Sequence, residues 1–306
     1  MKVSDLNSGD LARVLSKERL SLSIPPFVVS ISSDCPALWR DLAVGYADFE
    51  IALPGRFTDF YIDVKLEFGL RRWVKPLARF FFDGRPSFVP LPAHQAFTML
   101  EWGLNWCIAA HAHQFLVIHA AVVEKAGKSI VLPAPPGSGK STLCAGLVQR
   151  GWRLLSDELA LYDFETGLIH GMARPVNLKN ASINVIQQFE PSVEMTEPVP
   201  DTSKGKIALL RPPVESVRRS TEPVTPTFVI LPKFIAGASA ELVPHARAKT
   251  FMLLAEQSFN YDIHGERGFN ALGKLVGDCD CFQFTYSFLD DAMKVFSELC
   301  ASEETP

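Results

Sequence analysis

The run Ala134-Pro135-Pro136-Gly137-Ser138-Gly139-Lys140-Ser141-Thr142 gathers the residue types that bind phosphate. Glycines let the backbone curl so that successive N–H groups point inward at phosphate oxygens. The N-terminus of a following helix adds partial positive charge. Lys140 has the reach for the β- and γ-phosphates of a nucleotide, and the Ser141 hydroxyl is placed to ligate Mg²⁺. The pattern Gly-x-Gly-Lys-[Ser/Thr] arises by chance in roughly one chain of this length in a hundred. Here an apolar run, Ile130-Val131-Leu132, precedes it and a helical pattern, Leu143 to Arg150, follows it. That is the strand, loop and helix context a P-loop requires. Residues 136–142 are therefore the expected phosphate cradle. Ala134 stands where the usual pattern has its first glycine, which fits if φ is negative there.

A second group of chemistry-bearing residues lies 17 positions after Lys140: Asp157-Glu158, inside Arg153-Leu154-Leu155-Ser156-Asp157-Glu158-Leu159-Ala160-Leu161. Read as one strand from Arg153 to Tyr162, adjacent carboxylates point to opposite faces. Only one then faces the loop fully, unless a bulge re-aims the other. Phosphoryl transfer uses a carboxylate for Mg²⁺ and often another to accept the proton of the attacking hydroxyl. The apolar neighbours argue against a solvated surface pair. Arg174 and Lys179 flank a proline turn and read equally as a clamp on transferring phosphate or as surface cations. Lys204, Lys206 and Arg211 form a second basic group with the same two readings, and Arg267 a third. His111 and His113 end a helix whose spacing points them apart, which argues against a shared metal.

Composition narrows the classes. The chain has 306 residues, 47% hydrophobic and 21% charged, with a net charge of −4. No basic block supplies an electrostatic footprint for nucleic acid or an anionic membrane, so neither is an expected partner. No apolar run approaches the ~20 residues of a spanning helix. Met1-Lys2-Val3-Ser4-Asp5 lacks the start of a secretory leader. The cysteines at 35, 107, 144, 279, 281 and 300 form no Cys-x-x-Cys pair. They read as free, buried thiols in a reducing cytoplasm, although strand alternation would set Cys279 and Cys281 on one face.

The elements that must position these residues follow from periodicity. Residues 1–92 read as an N-terminal α+β region. It has helices over 11–17 and 36–46, weak alternation over 20–33 broken at Pro25-Pro26, and strands over 60–68, 78–82 and 87–89 with a hairpin at Asp83-Gly84-Arg85. A long helix spans about 93–113 after Pro90 and Pro92. Strands then run over 115–123, 129–134, 153–162, 168–172, 206–210, 227–231 and 282–286. Helices cover about 246–260, 268–276 and 290–300. Gly151 closes the loop helix. The Pro-rich stretches 191–204 and 212–226 read as loops edging a site. The expected class is α/β (α+β), with 93–306 as the chemistry-bearing region.

The segment from His119-Ala120-Ala121-Val122-Val123 through Arg150-Gly151-Trp152-Arg153-Leu154 to Asp157-Glu158 resembles the catalytic core of HPr serine kinase/phosphorylase. Most of the chain resembles the HprK-related kinase A group. The matching pieces are Arg174-Pro175-Val176-Asn177-Leu178-Lys179-Asn180, Gly205-Lys206-Ile207-Ala208, Ser258-Phe259-Asn260-Tyr261 and Gly265-Glu266-Arg267-Gly268-Phe269. The resemblance implies a P-loop fold of the phosphoenolpyruvate-carboxykinase and HPr-kinase type, with a mixed sheet. It implies an ATP- and Mg²⁺-dependent kinase acting on a serine or threonine hydroxyl of a protein, peptide or small molecule, with a homo-oligomer compatible. Asp157 would be the general base, Glu158 a metal-side or supporting carboxylate, Ser141 a metal ligand, and His119 a neighbour of the site. A nucleotide sensor without transfer and a carboxykinase-type phosphotransferase are the rival readings. True HPr kinases carry a Glu before a Gly-Leu-Gly segment, where this chain has Ile169-His170-Gly171-Met172-Ala173.

Overall fold

Alternating apolar residues from Leu20 fold back at Pro25-Pro26, and the strands Leu20–Ile24 and Phe27–Ser33 pair antiparallel. The computed structural model, which describes residues 1–53, 55–135 and 137–301, extends this hairpin into a six-stranded N-terminal sheet. Phe60–Leu66 joins parallel to Phe27–Ser33, and Leu77–Phe82 follows antiparallel. The expected strand over 87–89 is instead the two-residue strand Arg85–Pro86. Asp83 and Gly84 both have positive φ, 47° and 74°, which makes a tight turn that starts the return strand at once. Pro86 then lacks the N–H to continue the ladder. Helices Ser8–Lys17, Pro36–Gly45 and Ala96–His111 pack against this sheet. The first is capped by Asn7, whose side chain accepts from Asp10 N at 2.9 Å. Gly103 lets the long helix lie close on Phe80, whose ring a Cβ would overlap.

The second sheet has the order Arg153–Ser156, Ala120–Lys125, Lys128–Pro133, Phe228–Phe234, Asp280–Tyr286, Glu241–Pro244. Its three middle strands run parallel and its flanking pairs antiparallel. Two of these strands carry apolar runs, Ile130-Val131-Leu132 and Phe228-Val229-Ile230-Leu231, because both faces are covered there. Helices Lys140–Val148 and Leu289–Ala301 lie on one face, Arg247–Glu256 and Glu266–Asp278 on the other. The protein is thus a mixed α/β fold built on several sheets.

Two differences from the expected elements position the site. The strand expected over 115–123 is two strands, Phe115–Ile118 and Ala120–Lys125, broken at His119. The strand expected over 153–162 is likewise Arg153–Ser156 and Ala160–Asp163, broken at 157–159. In each case the two halves enter different sheets, the second being a three-stranded sheet that includes Ile169–His170. Ser156 stands opposite Val122 beside a bulge, and Ala160 opposite Ile118, so the two breaks face each other. The Ser156 hydroxyl accepts from Leu159 N at 3.0 Å and closes the turn that holds both carboxylates.

The two Pro-rich stretches are partly regular. The first contains Val199–Thr202, paired with Gly205–Leu210, which also pairs with Val176–Lys179. The second contains the helix Val214–Arg218, whose Ser216 hydroxyl accepts from Leu154 N at 2.9 Å. The helix expected over 246–260 ends at Glu256, and Tyr261–His264 forms a separate turn of helix. No helix among the described residues is long and apolar enough to cross a membrane. All six cysteines are free, and five are buried.

Candidate active site

Lys128–Pro133 delivers the chain to the glycine-rich loop, and the helix Lys140–Val148 takes it away. That helix starts at Lys140, three residues before the expected Leu143. Gly139 makes the entry, with φ +87° in the left-handed region. A Cβ there would also meet Tyr286 Oη at 2.5 Å and Phe234 Cβ at 3.0 Å. Two later strands hold the loop down. Tyr286 Oη donates to Gly139 O at 2.8 Å, and Phe234 N donates to Ser138 O at 2.9 Å. Lys140 is 7% exposed. Its Nζ and the Ser138 hydroxyl are buried without a hydrogen-bond partner among the described residues. Ser141 and Thr142 are half-buried in the first helical turn. Pro136, expected in the cradle, lies outside the described residues.

The acidic pair corrects the expectation of opposite faces. Both carboxylates line one cavity with Glu101, Asn105, Arg174 and Asn177. They do so because they sit in a turn and not on a strand. The cavity offers about 10 Å³ to a water-sized molecule, room for about one water or ion. Asp157 Oδ2 accepts from Asn177 N at 3.1 Å, while Oδ1 is buried without a partner among the described residues. Burial, then the charge of Glu158, pushes the Asp157 carboxyl above its ordinary range. Lys140, Asn177 N and the nearby Ser141 hydroxyl oppose that rise.

Glu158 behaves in the opposite way. Burial alone would raise it, but a hydrogen bond from His119 and the charges of Lys140 and Lys179 hold it down at about 2. His119 Nε2 lies 3.1 Å from Glu158 Oε2, and Lys179 Nζ lies 3.9 Å from Oε1. His119 is itself fixed from behind by Gln257, whose Oε1 is 3.2 Å from Nδ1. Two adjacent carboxyls pushed apart in this way can divide their roles, one taking a proton while the other stays charged.

Arg174 reaches the same cavity but is not a surface cation. It is buried, 3.4 Å from Glu101 Oε2 and hydrogen-bonded to Asn105, with Nε left unpartnered among the described residues. Glu101 also accepts from Tyr46 Oη at 2.6 Å. The structure therefore brings together Lys140, Ser141, Asp157, Glu158, His119, Arg174 and Lys179. Arg211 and Arg267 stand apart. Arg211 pairs with Asp48 and Glu194, and Arg267 pairs with Glu165 and covers the Phe164 ring. His111 stacks on Phe82, away from His113. Glu101, Asn105, Asn177 and Tyr286 belong to the site but carry no motif of their own. Only Asn177 lay inside a stretch that the sequence singled out.

The donor set suits a polyanion with a cation beside it. Lys140 Nζ and the Ser138 hydroxyl, unpartnered among the described residues, suit phosphate oxygens, and Asp157 Oδ1, likewise unpartnered among them and beside Ser141, suits a hard cation or a hydroxyl. Among the described residues no group of three or more His, Cys, Asp or Glu side chains could hold a metal alone. A cation here would take much of its coordination from ligand and water oxygens, as Mg²⁺ commonly does. No protein-family model and no curated protein matches this chain.

Proposed function

We propose that the protein is an ATP- and Mg²⁺-dependent kinase that transfers the γ-phosphate to a serine or threonine hydroxyl, with the P-loop fold of the HPr-kinase and carboxykinase type. The observation that carries this reading is the opposed push on Asp157 and Glu158 beside the buried Lys140, whose ammonium has no hydrogen-bond partner among the described residues. A sensor has no need of a carboxyl raised above its ordinary range, whereas a general base gains proton affinity from it. The parallel strands around the glycine-rich loop and the helix that begins at Lys140 support the fold assignment.

In this reading the loop amides and Lys140 bind the β- and γ-phosphates. Ser141, with Asp157 or Glu158, would hold Mg²⁺, which when bound neutralises phosphate charge. Asp157 accepts the proton of the attacking hydroxyl. The acceptor oxygen–phosphorus bond forms as the bridging oxygen–phosphorus bond breaks, and ADP leaves. Glu158 stays charged under His119 and Lys179 and keeps Asp157 basic. Arg174 fixes the cavity wall through Glu101 and Asn105. Catalysis is mostly positioning and electrostatics.

The test pairs two measurements on the purified chain. One is calorimetric titration of ATP with and without Mg²⁺. The other is incubation with γ-labelled ATP and a lysate of the source cell, followed by identification of labelled residues. Label on serine or threonine that disappears with Lys140→Ala supports the reading. ATP binding without any transfer would establish the sensor instead, and absence of ATP binding would overturn both.

A further inference from the structure

Besides Lys140 and Lys179 of the expected site, a third lysine feels the charge of Glu158. The third is Lys204, in the turn between Val199–Thr202 and Gly205–Leu210. The turn is pinned at several points. Thr202 Oγ1 accepts from Lys204 N at 3.2 Å and donates to Gly205 O at 2.5 Å. Asn180 donates through Nδ2 to Lys204 O at 3.4 Å and accepts Lys206 N at 3.0 Å. Gly205 has φ +84°, and a Cβ on it would overlap Asn180 Oδ1. Because Asn180 directly follows Lys179, this clamp sets the Lys204 turn at the same end of the sheet as Lys179. Gln95 holds the other side, donating to Asp201 O at 3.2 Å.

The clamp presents Lys204 without a carboxylate. Its ammonium lies 5.0 Å from the centre of the Trp102 ring, with no ion-pair partner among the described residues. Burial, then the charges of Lys179 and Lys140, lowers its pKa, and Glu158 raises it. The local charge does not balance. Three ammonium groups, Lys140, Lys179 and Lys204, outnumber the two carboxyls Asp157 and Glu158, while Arg174 is already engaged with Glu101. Such an excess of cations held by a rigid turn is a waiting place for negative charge.

We propose that Lys204 is a second phosphate-contacting cation, so that a bound polyphosphate engages both Lys140 from the glycine-rich loop and Lys204 from the hairpin turn, drawing the Lys204 ammonium off Trp102. The proposal rests on the kinase reading for the identity of the anion. It assigns the hairpin turn, and not only the loop, to substrate binding. It also makes Trp102 a built-in reporter.

The experiment titrates the full chain with pyrophosphate, ATP and inorganic phosphate, following tryptophan emission and heat together. Wild type should bind pyrophosphate and ATP with a change in emission that Trp102→Phe largely removes. Lys204→Met keeps the contact with the ring and should weaken pyrophosphate and ATP by tenfold or more, with an unchanged melting temperature. Lys204→Arg should recover most of that loss. Lys206→Met, on the same hairpin, should bind as wild type does. In transfer assays Lys204→Met should raise KM for ATP more than it lowers kcat. If wild type binds both ligands and Lys204→Met binds them within twofold of it, the inference fails while the kinase reading stands. If wild type binds neither, both fail.

Discussion

Replacing Asp157 by Asn separates chemistry from architecture at this site. Asn keeps the volume and can still accept from Asn177 N through its amide oxygen, so a hydrogen bond worth about 1 kcal/mol is retained. What it cannot do is take a proton. Transfer should fall by roughly 10²–10⁴, about 3–5 kcal/mol on the barrier, the span of a lost general base. ATP affinity should stay within a few-fold, because the loop and Lys140 are untouched. Stability should move the other way. The folded Asp157 pKa lies above its ordinary 3.8, chiefly through burial and Glu158. The folded state therefore binds this proton more tightly than the unfolded chain does. Stability drops as pH rises from about 3.8 through the folded pKa, and the full penalty persists above it. An amide at this position carries no such penalty, so Asp157→Asn should melt higher than wild type at neutral pH while being nearly inactive. The assay is single-turnover transfer, nucleotide titration and thermal unfolding on one preparation. Transfer at the wild-type rate would refute the base assignment and make Glu158 the candidate. A lower melting temperature would refute the claim that the site holds a strained charge.

Lys140→Ala should abolish ATP turnover and shift the melting temperature by no more than about 4 °C, since its ammonium makes no hydrogen bond to lose among the described residues; unchanged turnover would remove it from the site. Glu158→Gln should cost about 1.5–3 kcal/mol at neutral pH through the weakened bond to His119. Because the folded Glu158 pKa is depressed to about 2, wild type should lose this contribution as pH falls from about 4.5 to about 2, and the variant should be flatter across that window; parallel acid-unfolding curves would contradict the assignment. Gly103→Ala should destabilise by about 1–3 kcal/mol in denaturant titration, because the added methyl would overlap the Phe80 ring; a neutral or stabilising result would mean that the helix moves freely on the sheet.

The turn into the helix at Lys140 was legible in the sequence because Gly137 and Gly139 hold the positive φ that glycine adopts without strain. The strand before it and the helix after it were legible from their apolar patterning. The acidic pair was found, but its geometry was misread. Apolar residues from Arg153 to Tyr162 carry the period of one strand, and nothing local reveals that two sheets part at Ser156. That parting depends on the matching break at His119, a contact 39 residues apart. Glu101 and Asn105 were invisible for a different reason. They stand on a helix whose apolar spacing spoke only of core, and their role arises from meeting Arg174 some 70 positions later. Val199–Thr202 was hidden by its proline, which a short edge strand tolerates.

The bonds that tie the glycine-rich loop to Phe234 and Tyr286 have a consequence for the order in which the protein is made. Residues 134–142 leave the ribosome long before their restraints. The strand Lys128–Pro133 gains its parallel neighbour only after residue 234 has been translated, and Gly139 O meets its donor only after residue 286. A nascent chain stopped between those points carries the whole loop sequence but lacks its clamp. On the proposed reading, chains released in steps from a stalled ribosome should therefore acquire affinity for pyrophosphate abruptly, once residue 286 has emerged, and not when the loop itself does. The clamping of the loop thus reports on completion of the sheet, a timing set by tertiary contacts and invisible in the motif.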